Sequence, residues 1–348
     1  MNITLGLQKF ALTASIALLV VPAFAQTTAT TDPVGFITLN VTAGAVGAPA
    51  YAHIGLGLTR TVSYQGTAET SVGGTTALVD NEATWTDNQF NGAAGAFFVE
   101  ITSGVGVGTT YDIAATTAST KTLTLTQSLA ASVVNGASFK VRQHSTIGSV
   151  FGPANEAGLA GGTLATADQL LIWNGVGFDT YYFKTSGLGG TGWRSSTSTS
   201  ADKQSQIIYP EDGLVVKRNP TTPVNVVLMG SVKLGISSFP VSFGYNYLAN
   251  VCAAPLTLAS SGLYTADGNT GIIGGTLATS NQVLVWNGTG YSTYYYKTSG
   301  LGGTGWRSSA STSVDASTTS IPVGAAIVVN RKNGAAFNWV IPQHPSSL

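Results

Sequence analysis

Hydrophobic and polar residues alternate with a period of two along much of the chain, which predicts β-strands rather than helices. Residues 122–126 alternate strictly, with Leu123 and Leu125 on one face and threonines on the other. Several similar runs precede and follow this one, and glycine-containing turns separate them. Residues 67–146 are therefore predicted to form a small inserted β module.

A different pattern follows, and it occurs twice. Residues 184–196 return unchanged as residues 297–309, within a longer stretch of similarity at the same offset. Each copy contains an apolar strand, an Asn-Gly turn, a Tyr-rich strand, the glycine-rich stretch and closing strands, which predicts an antiparallel meander. The copies are assigned to residues 147–235 and 236–348. The predicted fold is all-β, with tandem antiparallel meander units that are sandwich- or barrel-like.

The N-terminus has the pattern of a secretory signal peptide. Residues 1–25 carry one charge, Lys9, followed by an apolar run over residues 10–21 and small residues before a predicted cleavage after Ala25. Residues 26–66 are predicted to add N-terminal strands, which would form a degenerate third unit. No later apolar run reaches the length of a membrane-spanning helix, so none is expected in the mature chain.

Composition agrees with an exported β protein. Charged residues make up 9% of the chain and the formal net charge is zero. The sequence has no cluster of basic residues, so nucleic acid is not expected as a partner. Cys252 is the only cysteine, which excludes an intrachain disulfide and predicts a buried small side chain. The expected location is the periplasm, the outer surface or the extracellular space, and the oligomeric state stays open.

Residues 187–192 match the glycine spacing of a dinucleotide-binding loop, G-x-G-x-x-G. Such a site needs a helix directly after the loop, because the helix N-terminus holds the pyrophosphate. Here Trp193, Arg194 and a Ser/Thr tract follow, so the pattern favours a wide β-turn. No cofactor is predicted.

Other candidate chemistry is weak. His53, His144 and His344 lie far apart, without metal-ligand spacing, and no serine has the context of a catalytic nucleophile. Residues 80–82 and 267–269 could place oxygen atoms around Ca²⁺, but neither resembles a full calcium-binding loop, and ordinary turns are favoured. No catalytic residue and no metal ligand is assigned.

The repeated aromatic residues are the candidate ligand-binding groups. Flat rings at the edge of a β-sheet could stack on sugars, with arginines donating hydrogen bonds, although packing in a core is the favoured alternative. The candidates are Trp173, Tyr181, Trp193, Arg194, Trp286, Tyr294, Trp306 and Arg307.

Four segments of the chain resemble a known family. They are the strand ending in Trp-Asn-Gly, its Tyr-rich partner strand, the Gly-Ser-Val-Phe-Gly at residues 148–152 and the strand before Arg331 and Lys332. The chain resembles an uncharacterised family of exported verrucomicrobial proteins that occur as sets of paralogues. The resemblance implies secretion and a β-rich fold, and it implies no activity.

The sequence therefore predicts a secreted, non-enzymatic structural or interaction protein of the cell surface or periplasm that displays a duplicated loop. Its partner would be a polysaccharide or another surface protein. The second hypothesis is a carbohydrate-binding protein that uses the repeated Trp and Tyr residues, and the third is a secreted hydrolase.

Overall fold

Antiparallel β-sheets make up almost all the regular structure of this computed structural model, which describes residues 32–44, 48–69, 74–91, 95–130, 135–219 and 222–342. The prediction of an all-β fold is confirmed. The predicted signal peptide, residues 1–25, and His344 lie outside the described residues.

Two strands precede a separate sheet. They are β1 (Val34–Val41) and β2 (Ala50–Ile54). The next six strands are β3 (Val62–Thr67), β4 (Ala77–Val79), β5 (Phe97–Ile101), β6 (Thr110–Thr117), β7 (Thr122–Leu125) and β8 (Ser138–Gln143). These six, called the insertion, form one sheet in the order β3-β8-β5-β6-β7-β4. One face of this sheet packs over its own apolar core.

The insertion begins earlier than predicted, because β3 belongs to its sheet. Tyr64 in β3 packs against Trp85 and Phe139 of the insertion, with ring centroids 5.1 and 6.0 Å away. The predicted boundary between residues 66 and 67 is therefore wrong: β3 pairs with β8 along its length.

The chain then builds a sheet that includes β2. The elements are β9 (Ser145–Thr146), α1 (Ile147–Phe151), β10 (Gln169–Trp173), β11 (Phe178–Lys184), β12 (Gly192–Ser195), β13 (Ile207–Ile208), β14 (Leu214–Arg218) and β15 (Val224–Ser231). The sheet order is β12-β11-β10-β14-β2, while β1 pairs with β15 and β9 with β13. We call β1, β2, α1 and β9–β15 the first unit.

The last nine strands repeat this arrangement. They are β16 (Ser237–Val241), β17 (Gly244–Ala249), β18 (Leu256–Thr257), β19 (Gln282–Trp286), β20 (Tyr291–Lys297), β21 (Gly305–Ser308), β22 (Ser320–Ile321), β23 (Ala326–Arg331) and β24 (Phe337–Ile341). Their main sheet has the order β21-β20-β19-β23-β17, with β16 paired to β24 and β18 to β22. We call these strands the second unit.

The similarity of the two sheets shows that the suggested third unit, formed by the N-terminal strands, is wrong. In the first unit β2 lies beside β14, as β17 lies beside β23 in the second unit. The N-terminal strands therefore complete the first unit, because β14 would otherwise lack a partner on that edge. The insertion interrupts the first unit between β2 and β9. Each unit has its own apolar core.

The two units meet across equivalent backbone contacts. Ile54 at the end of β2 forms an isolated bridge with Ala325, and Leu248 of β17 forms one with Asp212. Asp212 and Ala325 occupy the same position in the two copies, as do Ile54 and Leu248 by strand register. Each unit thus contributes the same two positions to this contact. We call the contact between the two units the seam.

Candidate functional site

The duplicated stretch folds into a loop between two antiparallel strands in both units. Residues 185–191 connect β11 to β12, and residues 298–304 connect β20 to β21. We call these segments the first and second glycine loops. A β-strand follows each loop, where a dinucleotide site would need a helix.

Two cationic side chains hold the first glycine loop in shape. The Lys184 ammonium donates to the carbonyl oxygens of Leu188 and Thr199. The Arg194 guanidinium donates to the carbonyl oxygen of Gly189 at 2.6 Å. Arg194 is buried, so its contact is shielded from water, and together with the Lys184 contacts it fixes the loop backbone.

The second glycine loop is held in the same way. Lys297 donates to the carbonyl oxygens of Leu301 and Thr312. Arg307 donates to the carbonyl oxygen of Gly302 at 2.6 Å. The identical sequence therefore produces the same hydrogen bonds in two places.

Glycine is required at several loop positions. Positive φ angles occur at Gly187, Gly189, Gly190 and Gly192, and at Gly300, Gly302, Gly303 and Gly305. A Cβ on Gly189 would also lie 2.8 Å from Cα of Ser200, and one on Gly302 would lie 2.9 Å from Cα of Ser313. Both the backbone conformation and the close approach thus exclude other residues at these two positions.

Each loop carries a leucine at its tip. Leu188 is 93% exposed and Leu301 is 94% exposed. The Lys and Arg contacts fix the backbone around both leucines, so the side chains are presented on an ordered support. A large apolar side chain that is almost wholly in water is an anchor that a partner surface can cover.

The candidate aromatic residues behind the loops lie in the cores. Trp193 is 1% exposed and Trp306 is 4% exposed, and Nε1 of Trp193 donates to the carbonyl oxygen of Gly152 at 2.8 Å. Tyr181 is buried in the first core, and Tyr294 packs against the second. Core packing, the favoured alternative, therefore describes Trp193, Trp306 and Tyr181, and they are not ligand-binding candidates because none has a face open to a ligand.

The arginine candidates also have another role. Arg194 and Arg307 are each 5% exposed, and their guanidinium groups bond to loop carbonyl oxygens. They are therefore not free to donate to a bound sugar. The structure assigns them to holding the loop that carries the exposed leucine.

The remaining two candidates lie at the seam between the units. The Trp286 ring packs on His53 of the first unit, with centroids 4.4 Å apart. The Trp173 ring lies 6.3 Å from Tyr247 of the second unit. Both tryptophans are half-buried and stabilise the contact between units.

The seam and the glycine loop lie at opposite ends of β11. In the first unit, β11 starts at Phe178, whose ring lies 5.1 Å from Tyr247 across the seam. The strand ends at Lys184, where the glycine loop begins. Seven residues of strand span roughly 20 Å. The loop therefore lies on the side of its sheet that is away from the other unit.

Sequence reasoning missed the loop leucines as functional candidates. The available signal was an apolar residue preserved between glycines in both copies, at a turn where polar residues are common. Alternation along a strand defines two faces but does not show which of them other strands cover, so the repeated aromatic residues remained candidates.

The suggested calcium-binding turns have ordinary turn contacts. Asp80 is buried and accepts hydrogen bonds from the Tyr64 hydroxyl and the Glu82 amide. Asp267 accepts from the amide of Asn269 at 2.9 Å. Across the described ranges, no group of three or more His, Cys, Asp or Glu side chains is arranged to hold a metal ion.

Comparison with protein-family models, curated proteins and solved structures finds no match. Among the residues that the structure describes, no helix has the length and apolar character needed to cross a membrane.

Proposed function

We propose that this protein is a secreted, non-enzymatic structural or interaction protein that attaches to partners through its two glycine loops. The observation that carries this proposal is the pair of identical, internally braced loops with Leu188 and Leu301 exposed at their tips. Export rests on the signal-peptide pattern of residues 1–25, and membership of the exported verrucomicrobial family rests on the resemblance described above.

The loop chemistry favours a protein partner. Each loop offers an apolar side chain surrounded by glycine backbone and threonine, with its basic side chains turned inward. An exposed leucine at a loop tip suits a hydrophobic pocket on another protein better than the surface of a charged or strongly hydrated polymer.

The placement of the loops favours a protein that connects two partner sites. Each loop lies on the side of its sheet away from the seam, so neither tip is covered by the other unit. Two equivalent attachment points allow one molecule to engage two partner sites, which raises the apparent affinity when both are engaged.

Retention on the cell envelope tests this function. Purified mature protein is sedimented with envelopes of the cells that produce it, and the bound fraction of wild type is compared with that of a Leu188→Ser/Leu301→Ser double variant. We expect the wild type to be retained and the double variant to be lost. Retention of the double variant at the wild-type level would overturn the proposal.

Val176 supplies a matched control. It is 92% exposed on the neighbouring hairpin turn of the first unit, and the second unit has Thr289 at the same position. Val176→Thr removes an equally exposed apolar side chain outside the glycine loops. We expect retention of this variant at the wild-type level.

A further inference from the structure

A cleft of about 440 Å³ opens where the insertion and both units meet. Asp112 comes from β6 of the insertion, Tyr209 and Glu211 precede β14 of the first unit, and Ser238 belongs to β16 of the second. Hydroxyl, amide and carboxylate groups share its walls with apolar surface, and neither Lys nor Arg is among the described residues that line it. The glycine loops take no part in it.

Asp112 is held in place from behind. Its Oδ1 lies 2.8 Å from Nε2 of the buried His144, and the Tyr209 hydroxyl donates to its Oδ2 at 3.2 Å. The Tyr209 ring packs edge-on against His144, with centroids 5.1 Å apart. The carboxylate and the tyrosine ring are therefore a fixed part of the cleft wall.

Glu211 adds a second carboxylate that lacks a partner. Its Oε2 is buried and has no hydrogen-bond partner within the part of the chain that the structure describes. Burial and the charges of Asp212 and Asp112 together raise the pKa of Glu211 to about 7, while a backbone hydrogen bond and His144 act in the opposite direction. Burial also raises the pKa of the adjacent Asp212 to about 7. An ionised carboxylate in this place is unfavourable unless a positive charge joins it.

The second unit shows that the fold does not need these acidic side chains. Gly324 and Ala325 stand at the positions equivalent to Glu211 and Asp212. The backbone contact is nevertheless the same: Gly55 N donates to Gly324 O at 2.9 Å, as Ala249 N donates to Glu211 O at 2.8 Å. Glu211 and Asp212 therefore have no acidic counterpart in the second unit, so their presence calls for a role beyond folding.

We propose that the cleft binds a small organic cation with a primary ammonium group, held by the charges of Asp112 and Glu211 and flanked by the Tyr209 ring. The two carboxylates supply the negative charge that balances the ammonium group. A tyrosine ring face is a favourable neighbour for an ammonium group. The surrounding hydroxyl and amide groups accept the remaining N–H donors.

Calorimetric titration of the mature protein with 1,4-diaminobutane tests this site. The matched probe is 1,4-butanediol, which has the same length with hydroxyl groups in place of ammonium groups. At pH 8 and low salt we expect the diamine to bind and the diol to give no heat of binding. Equal binding of both probes would overturn the proposal, and so would the absence of diamine binding.

Variants assign the binding to the cleft. We expect Glu211→Gln to weaken diamine binding at least about tenfold, which corresponds to ~1.4 kcal/mol. Glu211→Gly, which places the residue of the second unit at this position, should do the same if Gln disturbs the fold. Glu82→Gln, at an exposed site of the insertion, is the matched control and should bind as wild type. Unchanged affinity in both Glu211 variants would contradict the assignment.

The pH dependence gives an independent readout. A cation binds the ionised form of Glu211, so wild-type affinity should fall as pH decreases from 8 to 6. The fall should be smaller in Glu211→Gln, where that group no longer titrates. An identical fall in wild type and variant would count against Glu211 as the counter-charge.

Discussion

The hydroxyl of Tyr247 lies 3.0 Å from Nδ1 of His53, and the two residues occupy the same position in the two units. Each belongs to the strand that completes its sheet, and each packs on the aromatic residues of the opposite unit. The Tyr291 hydroxyl also lies 3.0 Å from the same nitrogen. The seam between the units is thus formed by equivalent positions that meet one another.

His53 makes this seam sensitive to acid. Burial lowers the pKa of His53 to about 4, so the folded protein keeps the ring neutral while the unfolded chain takes up a proton below about pH 6.5. Because the unfolded state binds more protons in that window, stability should fall as pH decreases from 6.5 to 4.

Urea unfolding at pH 7 and pH 4.5 checks this expectation. The free energy of unfolding should fall more for wild type than for His53→Phe, which keeps an aromatic ring without the titrating nitrogen. A difference between the two proteins that is the same at both pH values would contradict it.

Trp193 is expected to behave as a core residue. Trp193→Ala removes a side chain that is 1% exposed, together with its hydrogen bond to Gly152. Large-to-small changes of this kind cost roughly 3–5 kcal/mol. Thermal unfolding should show a marked loss of stability, whereas Leu188→Ser should melt like wild type. Full stability of Trp193→Ala would mean that the ring is not packed as described.

A buried ion network joins the insertion to the rest of the protein. Glu100 in β5 accepts from Arg142 at 3.2 Å and is paired with Lys233, which lies between the two units in sequence. All three side chains are almost fully buried. Glu100→Gln leaves Lys233 without its counter-charge, while Arg142 keeps its pair with Asp32 at 2.5 Å, and should destabilise the protein by roughly 3–5 kcal/mol.

Chemical denaturation measures this effect, and Asp315→Asn provides the comparison. Asp315 pairs with Arg307 at 3.4 Å from a position open to solvent, so its loss should change stability little. Equal effects of the two substitutions would show that burial of the Glu100 network does not matter.

Gly189 controls the shape of the first glycine loop. Its φ is +89° and a Cβ would lie 2.8 Å from the Ser200 backbone, so Gly189→Ala should displace the loop and lower stability by about 1–3 kcal/mol. Gly177→Ala, at a turn position with open space and without a positive φ, should be neutral. Matching melting temperatures for both variants would contradict the account of the loop.

Period-two alternation and Asn-Gly turns are local signals, so the strand pattern predicted the fold class and the consecutive strands β10, β11 and β12 of the first unit. The prediction that the closing strand continues this meander is wrong, because β14 pairs with β10 rather than with β12. The pairing of β2 with β14 was missed, because these strands lie on either side of the insertion and contact between distant segments leaves no local pattern. Core packing was the favoured expectation for the repeated aromatic residues. Alternation defines the two faces of a strand without showing which of them other strands cover, so it could not separate Trp193 in the core from Trp173 at the seam. The cleft at Asp112 and Glu211 could not be predicted from the sequence, because its walls come from three separate parts of the chain.

The most direct test of the central claim is the retention of single and double leucine variants on the cell envelope. Because the two loops have the same sequence and the same internal hydrogen bonds, Leu188→Ser and Leu301→Ser should each weaken retention to a similar degree. The double variant should lose retention almost completely while its thermal unfolding stays at the wild-type temperature. Full retention of the folded double variant would contradict the claim that the glycine loops are the points of attachment.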